Sequence, residues 1–346
     1  MRMQNEITSV NPPAGAAPPA AANGTRAEGR RGPLIAFAVI TILGIAAPWL
    51  GLYPVFVMKA LCLALFASAF NLLLGFAGLL SFGHAIFLAA AGYAAGYAVT
   101  AWSLPTVAGV LFGTAVAAAL GLLIGAIAIR RQGIYFAMIT LALAQMIYFF
   151  FLEAKFTGGE DGLQGIPRGT LLGAISLNND LTMYYFVLAV FIAGLLAIFR
   201  IIHSPFGQVL KAIRENEPRT LSLGYRVDHY KLLAFVLSAG LAGLAGAMKA
   251  FVLGFETLTD ATWQLSGEVV LMTLVGGVGT MFGPMIGAFA IVGLEDRLAD
   301  QVGSWVQVIL GVIFVLCVLT FRRGIVGEFS AWIQRARSRA RDAGSR

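Results

Sequence analysis

A chain of 346 residues that is 59% hydrophobic and only 12% charged has too little polar surface to cover itself in water, since soluble domains carry roughly 25% charged residues. That composition excludes an ordinary soluble protein and makes the lipid bilayer the solvent. The net charge of +7 sits at the ends and in connecting segments, where Lys and Arg set membrane orientation, so it does not point to nucleic acid.

In chain order, residues 1–33 form a tail whose Pro-, Ala- and Gly-rich stretch predicts disorder on the cytoplasmic side. Arg26, Arg30 and Arg31 precede the first apolar run. That run continues past Pro48 and Trp49 without a small-residue cleavage site, which predicts a retained helix rather than a signal peptide. A membrane helix needs roughly 20 mostly apolar residues. Runs of that kind lie near 34–52, 55–75, 81–101, 105–129, 133–152, 182–202, 232–254 and 302–321, with a longer one at 266–298. Cys62 and Cys317 each lie inside an apolar run and are expected to be small buried hydrophobes; no metal spacing is present.

The basic residues fix sidedness. Arg130 and Arg131, and then Lys211, Arg214, Arg219, Arg226 and Lys231, belong inside. The connection 153–181, with Glu160 and Asp161, falls outside. The basic tail 322–346 belongs inside again, which requires an even number of crossings. The run 266–298 supplies one if it crosses twice, broken at Gly276-Gly277-Val278-Gly279-Thr280 and Gly283-Pro284. The expected fold is an all-α, polytopic transmembrane bundle of about ten crossings over 34–321, with both termini cytoplasmic. One long helix with a re-entrant piece is the alternative. Both versions keep the glycine-rich break inside protein, where non-helical backbone is tolerated at membrane depth.

Three segments carry the functional expectation. In Asn71–Ala85, reading NLLLGFAGLLSFGHA, the polar Asn71, Ser81 and His84 interrupt an apolar stretch, and Gly75, Gly78 and Gly83 permit a break. Buried polar groups and freed backbone of this kind mark solute pathways; a cytoplasmic-end turn in the headgroups is the plainer reading. With Gly276, Gly277, Gly279, Thr280 and Pro284, these residues are the pathway candidates. In the external loop TGGEDGLQGIP, Thr157, Gly158, Gly159, Asp161, Gly162 and Gly165 read either as an ordered, turn-rich surface for an outside partner or as a solvated connector. In the inner loop 203–231, Ser204 caps and Pro205 starts a helix. Phe206, Leu210 and Ile213 recur on one face, Gly207, Arg214 and Glu215 occupy the rest, and Gly224 ends the helix. This amphipathic helix either lies in the headgroups or fits its apolar stripe into a groove of a soluble partner.

The remaining charges in apolar runs, Lys59, Lys249, Glu268, Glu295 and Asp296, can each sit near a helix end or break, and snorkelling accommodates most of them. Glu268 and Lys249 are retained as pathway candidates. The sequence holds no G-x-x-x-x-G-K-[ST], H-E-x-x-H or G-x-S-x-G motif, so no catalytic residue is assigned and nothing argues for an enzyme.

Together, NLLLGFAGLLSFGHA, TGGEDGLQGIP, SPFGQVLKAIRENEPRTLSLGYRVDHYKLLAFVLSAGLAGLAGA and GGVGTMFGPMIGA resemble the LivM-type permeases of branched-chain amino acid ABC importers, over about 54–323. The resemblance implies a subunit of the bacterial inner membrane that pairs with a second, related permease, two cytoplasmic ATPases and a periplasmic solute-binding protein. ATP would be used by the partner subunits, with no cofactor or metal bound by this chain. The helix from Ser204 to Gly224 would then dock on an ATPase. Leu79-Leu80 departs from the family, whose members often have a polar residue after the glycine. Relatives implied by the same resemblance carry urea or short amides, and an ion-coupled secondary carrier is the competing class.

Overall fold

The computed structural model describes residues 31–51, 53–171 and 175–306, with 308, 309, 311–313, 315 and 324. The expected disordered tail, Cys317 and nearly all of the basic C-terminal tail lie outside the described residues. Contacts divide the chain into Met1–Ala46 and Ala47–Arg346. In the first unit, α1 (Arg31–Ala46) is a 16-residue apolar helix.

The second unit is built from α2 (Pro54–Asn71), α3 (Ala85–Trp102), α4 (Thr106–Ala128), α5 (Ile134–Glu153), α6 (Asp180–His203), α7 (Pro205–Glu215), α8 (Glu217–Ser222), α9 (Val227–Leu253), α10 (Trp263–Gly276) and α11 (Gly283–Val302). A two-residue hairpin, β1 (Thr170–Leu171) against β2 (Ile175–Ser176), is the sheet present among the described residues. Among the described residues, six helices are long and apolar enough to cross a membrane: α2 with its π-helical extension to Ala77, then α3, α4, α5, α6 and α9.

α2 is the hub. It is apolar on all sides and touches α6, α9, α10 and α11. A helix that is hydrophobic all round must be buried, and here 94% of the span's window is. α9 packs along α3 and α4 through small residues. A β-carbon on Gly246 would strike the Leu88 carbonyl of α3, so glycine there sets the closest approach of the two helices. α4, α5 and α6 instead expose large apolar side chains such as Leu123, Ile134, Met146 and Leu196, a surface that water would not tolerate.

The long run at 266–298 breaks between Gly276 and Gly283, close to the expected place. α10 and α11 fold back on each other as an antiparallel pair. At 14 residues, α10 rises only about 21 Å, short of a hydrocarbon core of roughly 30 Å.

Hydrogen bonds sort the connections into two ends. At one end Glu217 of α8 accepts from Gln132 of the α4–α5 turn at 2.8 Å and from Lys231 of α9 at 2.6 Å. Arg130, Arg131, Arg219 and Arg226 belong to this end. At the other end Thr106 donates to the Arg168 carbonyl at 2.8 Å, and Arg168 donates to the Val252 carbonyl at 3.1 Å. Leu163 and Glu256 exchange paired backbone bonds of 2.9 Å, and Ile166 N–H reaches the Gly254 carbonyl at 2.8 Å. The loop TGGEDGLQGIP is therefore stitched onto the strand-like segment after α9. Its glycines serve that contact: Gly162 has a positive φ, and a β-carbon on it would collide with the Glu256 carbonyl.

Candidate functional site

Two places gather the candidate residues, one near each end of α2. The first joins two interruptions of helix. After Asn71 the backbone widens into a π-helix, Leu72–Ala77, and closes on Gly78 in the left-handed region. Residues 78–84 then run non-helically, and apart from Gly78, Leu80 and Phe82 they are buried. Asn71 is 2% exposed and satisfies the second interruption. Its Nδ2 donates to the Thr280 carbonyl at 2.8 Å, and its Oδ1 accepts the Gly279 N–H at 2.9 Å. The Gly75 carbonyl accepts a hydrogen bond from the Arg214 guanidinium of α7.

His84 lies deeper, fully buried. Phe66 stacks on it at 5.9 Å, and Phe70 and Phe87 meet it edge-on at 5.3 Å. Ser238 of α9 donates its hydroxyl proton to the Ala69 carbonyl at 2.6 Å, so the 3.1 Å contact from His84 Nε2 to Ser238 Oγ requires the proton on Nε2. Nδ1 has no partner among the described residues. This is a structural imidazole in an aromatic box, not a chain of proton carriers. Ser81 is also buried, and its Oγ has no hydrogen-bond partner among the described residues. Asn71, Ser81 and His84 sit in the protein interior, because α5, α9, α10 and the turn at 277–282 pack around them. Ser266 of α10 accepts the Ala85 N–H at 3.0 Å, and Gly83 lies against the Thr140 carbonyl of α5.

The second place is a cavity of about 430 Å³ at the other end, lined by Lys59, Lys249, Thr257, Asp260, Glu268 and Glu295 among others. Lys249, 6% exposed, is ion-paired with Asp260. Lys59, Glu268 and Glu295 form no ion pair among the described residues. Behind this wall Glu256 is fully buried beside Asp260, and its carboxyl lies against Gly92 of α3. It follows the end of α9, outside the six spans. Burial, with the Asp260 charge beside it, holds its carboxyl well above the usual carboxylate range. Lys249, kept apart from the snorkelling charges as a pathway candidate, has its ammonium held inside by the Asp260 carboxylate. Cations and carboxylates facing one cavity can bind a small polar solute through charge-assisted hydrogen bonds.

The family profile described as "Branched-chain amino acid transport system / permease component" matches residues 55–318. The chain belongs to the branched-chain amino acid permease family. It is 28% identical over 284 residues to the high-affinity branched-chain amino acid transport system permease protein LivM of Escherichia coli K12. The LivM protein of Salmonella typhimurium LT2 matches equally, and in both cases 74% of this chain and 65% of the relative are covered. The autoinducer 2 import system permease protein LsrC of Salmonella paratyphi B is 29% identical over 174 residues, covering 48% of this chain and 49% of the relative. The chain thus spans just under two thirds of the length of the LivM proteins. No solved structure matches. With six apolar spans among the described residues, this permease is a multi-pass membrane protein.

In this permease the predicted residues separate. Asn71, Gly75, Gly78, Gly279 and Thr280 meet at the first place, with Gly276 packed against the Gly283 backbone beside Pro284. Glu268 and Lys249 meet at the second. Thr157 caps α5 instead of facing a partner: its hydroxyl contacts the Phe151 and Ala154 carbonyls at 2.5 and 2.6 Å.

The inner helix needs two corrections. Ser204 caps it as expected, accepting the Gly207 N–H at 3.3 Å, but it ends at Glu215. Asn216 is extended and caps α8, accepting the Arg219 N–H at 3.0 Å. Pro218 has no N–H and would clash with the carbonyl of Arg214 in a continuous helix. In addition, Leu210 and Ile213 are buried against the permease itself. Large apolar groups free at this end are Leu221, Leu223 and Tyr225, around Gly224.

Sequence reasoning missed Asp260 and Glu256, which read as parts of a polar connector. The signal was Lys249: a lysine in an apolar run that does not reach water needs a carboxylate partner within reach.

Proposed function

We propose that this chain is the permease subunit of an ATP-binding-cassette importer that carries branched-chain or related amino acids across the bacterial inner membrane. Two separate cytoplasmic ATPases would drive it, a second homologous permease would complete the path, and a periplasmic binding protein would deliver solute. The observation that carries this reading is the polarity of the molecule. A charged cavity opens at one end, and six Lys and Arg residues of the α4–α5 and α6–α9 connections gather at the other with α7 and α8. The basic end is cytoplasmic by the positive-inside rule, which turns the cavity outward. An amino acid offers the cavity a carboxylate for Lys59 and an ammonium for Glu268 or Glu295. The ATPase would meet the ridge Leu221–Tyr225, flanked by Arg219 and Arg226. We further infer ten crossings with both termini inside, α10 and α11 acting as a pair.

One observation favours a second reading. Asp260, Glu268 and Glu295 share the cavity, and a carboxylate cluster is what an ion-coupled carrier needs. The test is gentle purification of the complex followed by uptake in proteoliposomes. Co-purifying ATPases and ATP-driven uptake of leucine support the importer. A chain that purifies alone and takes up leucine on a proton or sodium gradient would replace it with the carrier. Uptake of urea or a short amide in place of leucine would keep the class and change the solute. Topology is checked by labelling: Glu160→Cys should react from outside and Glu328→Cys from inside only.

A further inference from the structure

On the polar face of α7, Gln208, Arg214 and Glu215 all reach solvent, but Arg214 also lays its guanidinium on the Gly75 carbonyl, 139 positions away in sequence. That carbonyl is in the last turn of the π-helix, where backbone oxygens lack partners within the helix and the helix dipole favours a cation. The Gly78 N–H and the Leu79 N–H both go to the Leu73 carbonyl, which leaves the Gly75 oxygen for Arg214.

The second interruption is reached through the same point. A β-carbon on Gly75 would run into the Gly279 backbone, and one on Gly279 would sit 3.0 Å from Arg214 Nη1 and 3.2 Å from the Gly75 oxygen. Asn71, one turn earlier, holds Gly279 and Thr280. The other attachments of α7 here are the buried Leu210 and Ile213, which are non-directional, and Lys211 over the Phe76 ring at 5.7 Å. A planar guanidinium fixes direction where apolar contacts allow sliding.

We propose that Arg214 is a positioning residue that ties α7 to both helix interruptions, so that the helix on the basic face, the π-turn at Gly75 and the break at Gly279 move as one body. Its consequence for transport rests on the importer reading; the tie itself does not. The experiment therefore has two arms. In proteoliposomes holding the whole importer, the readout is leucine moved per ATP hydrolysed. Arg214→Ala should lower that ratio on the order of tenfold, the factor expected for one charge-assisted hydrogen bond. Arg214→Lys, which keeps a cationic donor but loses the fork, should recover part of it. Combining Arg214→Ala with Asn71→Ala should give no more loss than the worse single variant, because residues of one network do not add. Losses that multiply would overturn the proposal.

In the second arm, amide hydrogen exchange on the purified permease should be roughly tenfold faster at Gly279 in Arg214→Ala than in the parent, the same factor as for the lost bond. Unchanged exchange there would overturn the tie. If the parent importer shows no ATP-driven uptake, the functional reading fails, and the exchange arm still decides the role of Arg214. If Arg214→Ala gives no folded protein, Arg214→Gln and Arg214→Lys carry the same comparison.

Discussion

The two ends of α2 solve opposite problems. Around Asn71, polar backbone freed by two helix interruptions is satisfied by an amide, a guanidinium and close glycine packing, and no carboxylate takes part. Around Lys59, the wall is part α-helix and part the segment between α9 and α10, and its charged groups are incompletely paired: Lys59, Glu268 and Glu295 form no ion pair among the described residues, and Glu256 is buried behind them. A region whose donors and acceptors are matched to each other is built to hold or shift as a unit. A region with unmatched charge facing a cavity is chemically suited to a polar or charged group that enters it.

That contrast can be broken by experiment, beginning with the largest effect. Lys249→Met leaves Asp260 beside Glu256 in the interior with no cation, and should destabilise the permease by about 3–5 kcal/mol, read from thermal unfolding in detergent. The double variant Lys249→Met with Asp260→Asn should be milder than the single. If the single variant is as stable as the parent, the pair is not buried in the sense described.

At the other end, Asn71→Ala orphans a Gly279 N–H and a Thr280 carbonyl, and a loss of about 2 kcal/mol is expected. Unaltered unfolding would mean that water replaces the amide. On the basic face, Ile213→Glu should destabilise the fold by a few kcal/mol, since it buries a charge. Leu223→Glu should leave stability within about 0.5 kcal/mol and weaken ATPase co-purification. The reverse pattern would restore the original expectation that the Leu210–Ile213 stripe is the docking face.

Smaller still, Glu268→Gln should raise the leucine concentration for half-maximal uptake by about tenfold if its charge meets the solute ammonium, with little change in unfolding. Asp180→Asn, removing a half-exposed partner of Arg168 at 2.5 Å, should change stability by less than about 1 kcal/mol. It serves as the control outside both regions.

The runs read from the sequence correspond to α2–α6 and α9, because a membrane helix must be apolar over its length and so advertises itself. The break at Gly276–Gly283 was legible for the complementary reason: Gly and Pro concentrate where helix cannot continue. The split at Asn216 was legible in principle, from a capping Asn two residues before Pro218, but the longer amphipathic period running into it concealed the stop. Which way the stripe of α7 points was not legible, since a period identifies a face and not its neighbour. Nor was the cavity: Lys59, Lys249, Glu268 and Glu295 come from four helices, and helix packing alone brings them together.

α2 is an axle. Lys59 and Asn71 are twelve residues apart on one continuous buried helix, so they are separated by about 18 Å along it and by about 120° around it. A twist of α2 by roughly 20° would swing a side-chain tip at either level by about 2 Å. That distance suffices to make or lose a hydrogen bond at both ends in the same stroke, without any helix changing length.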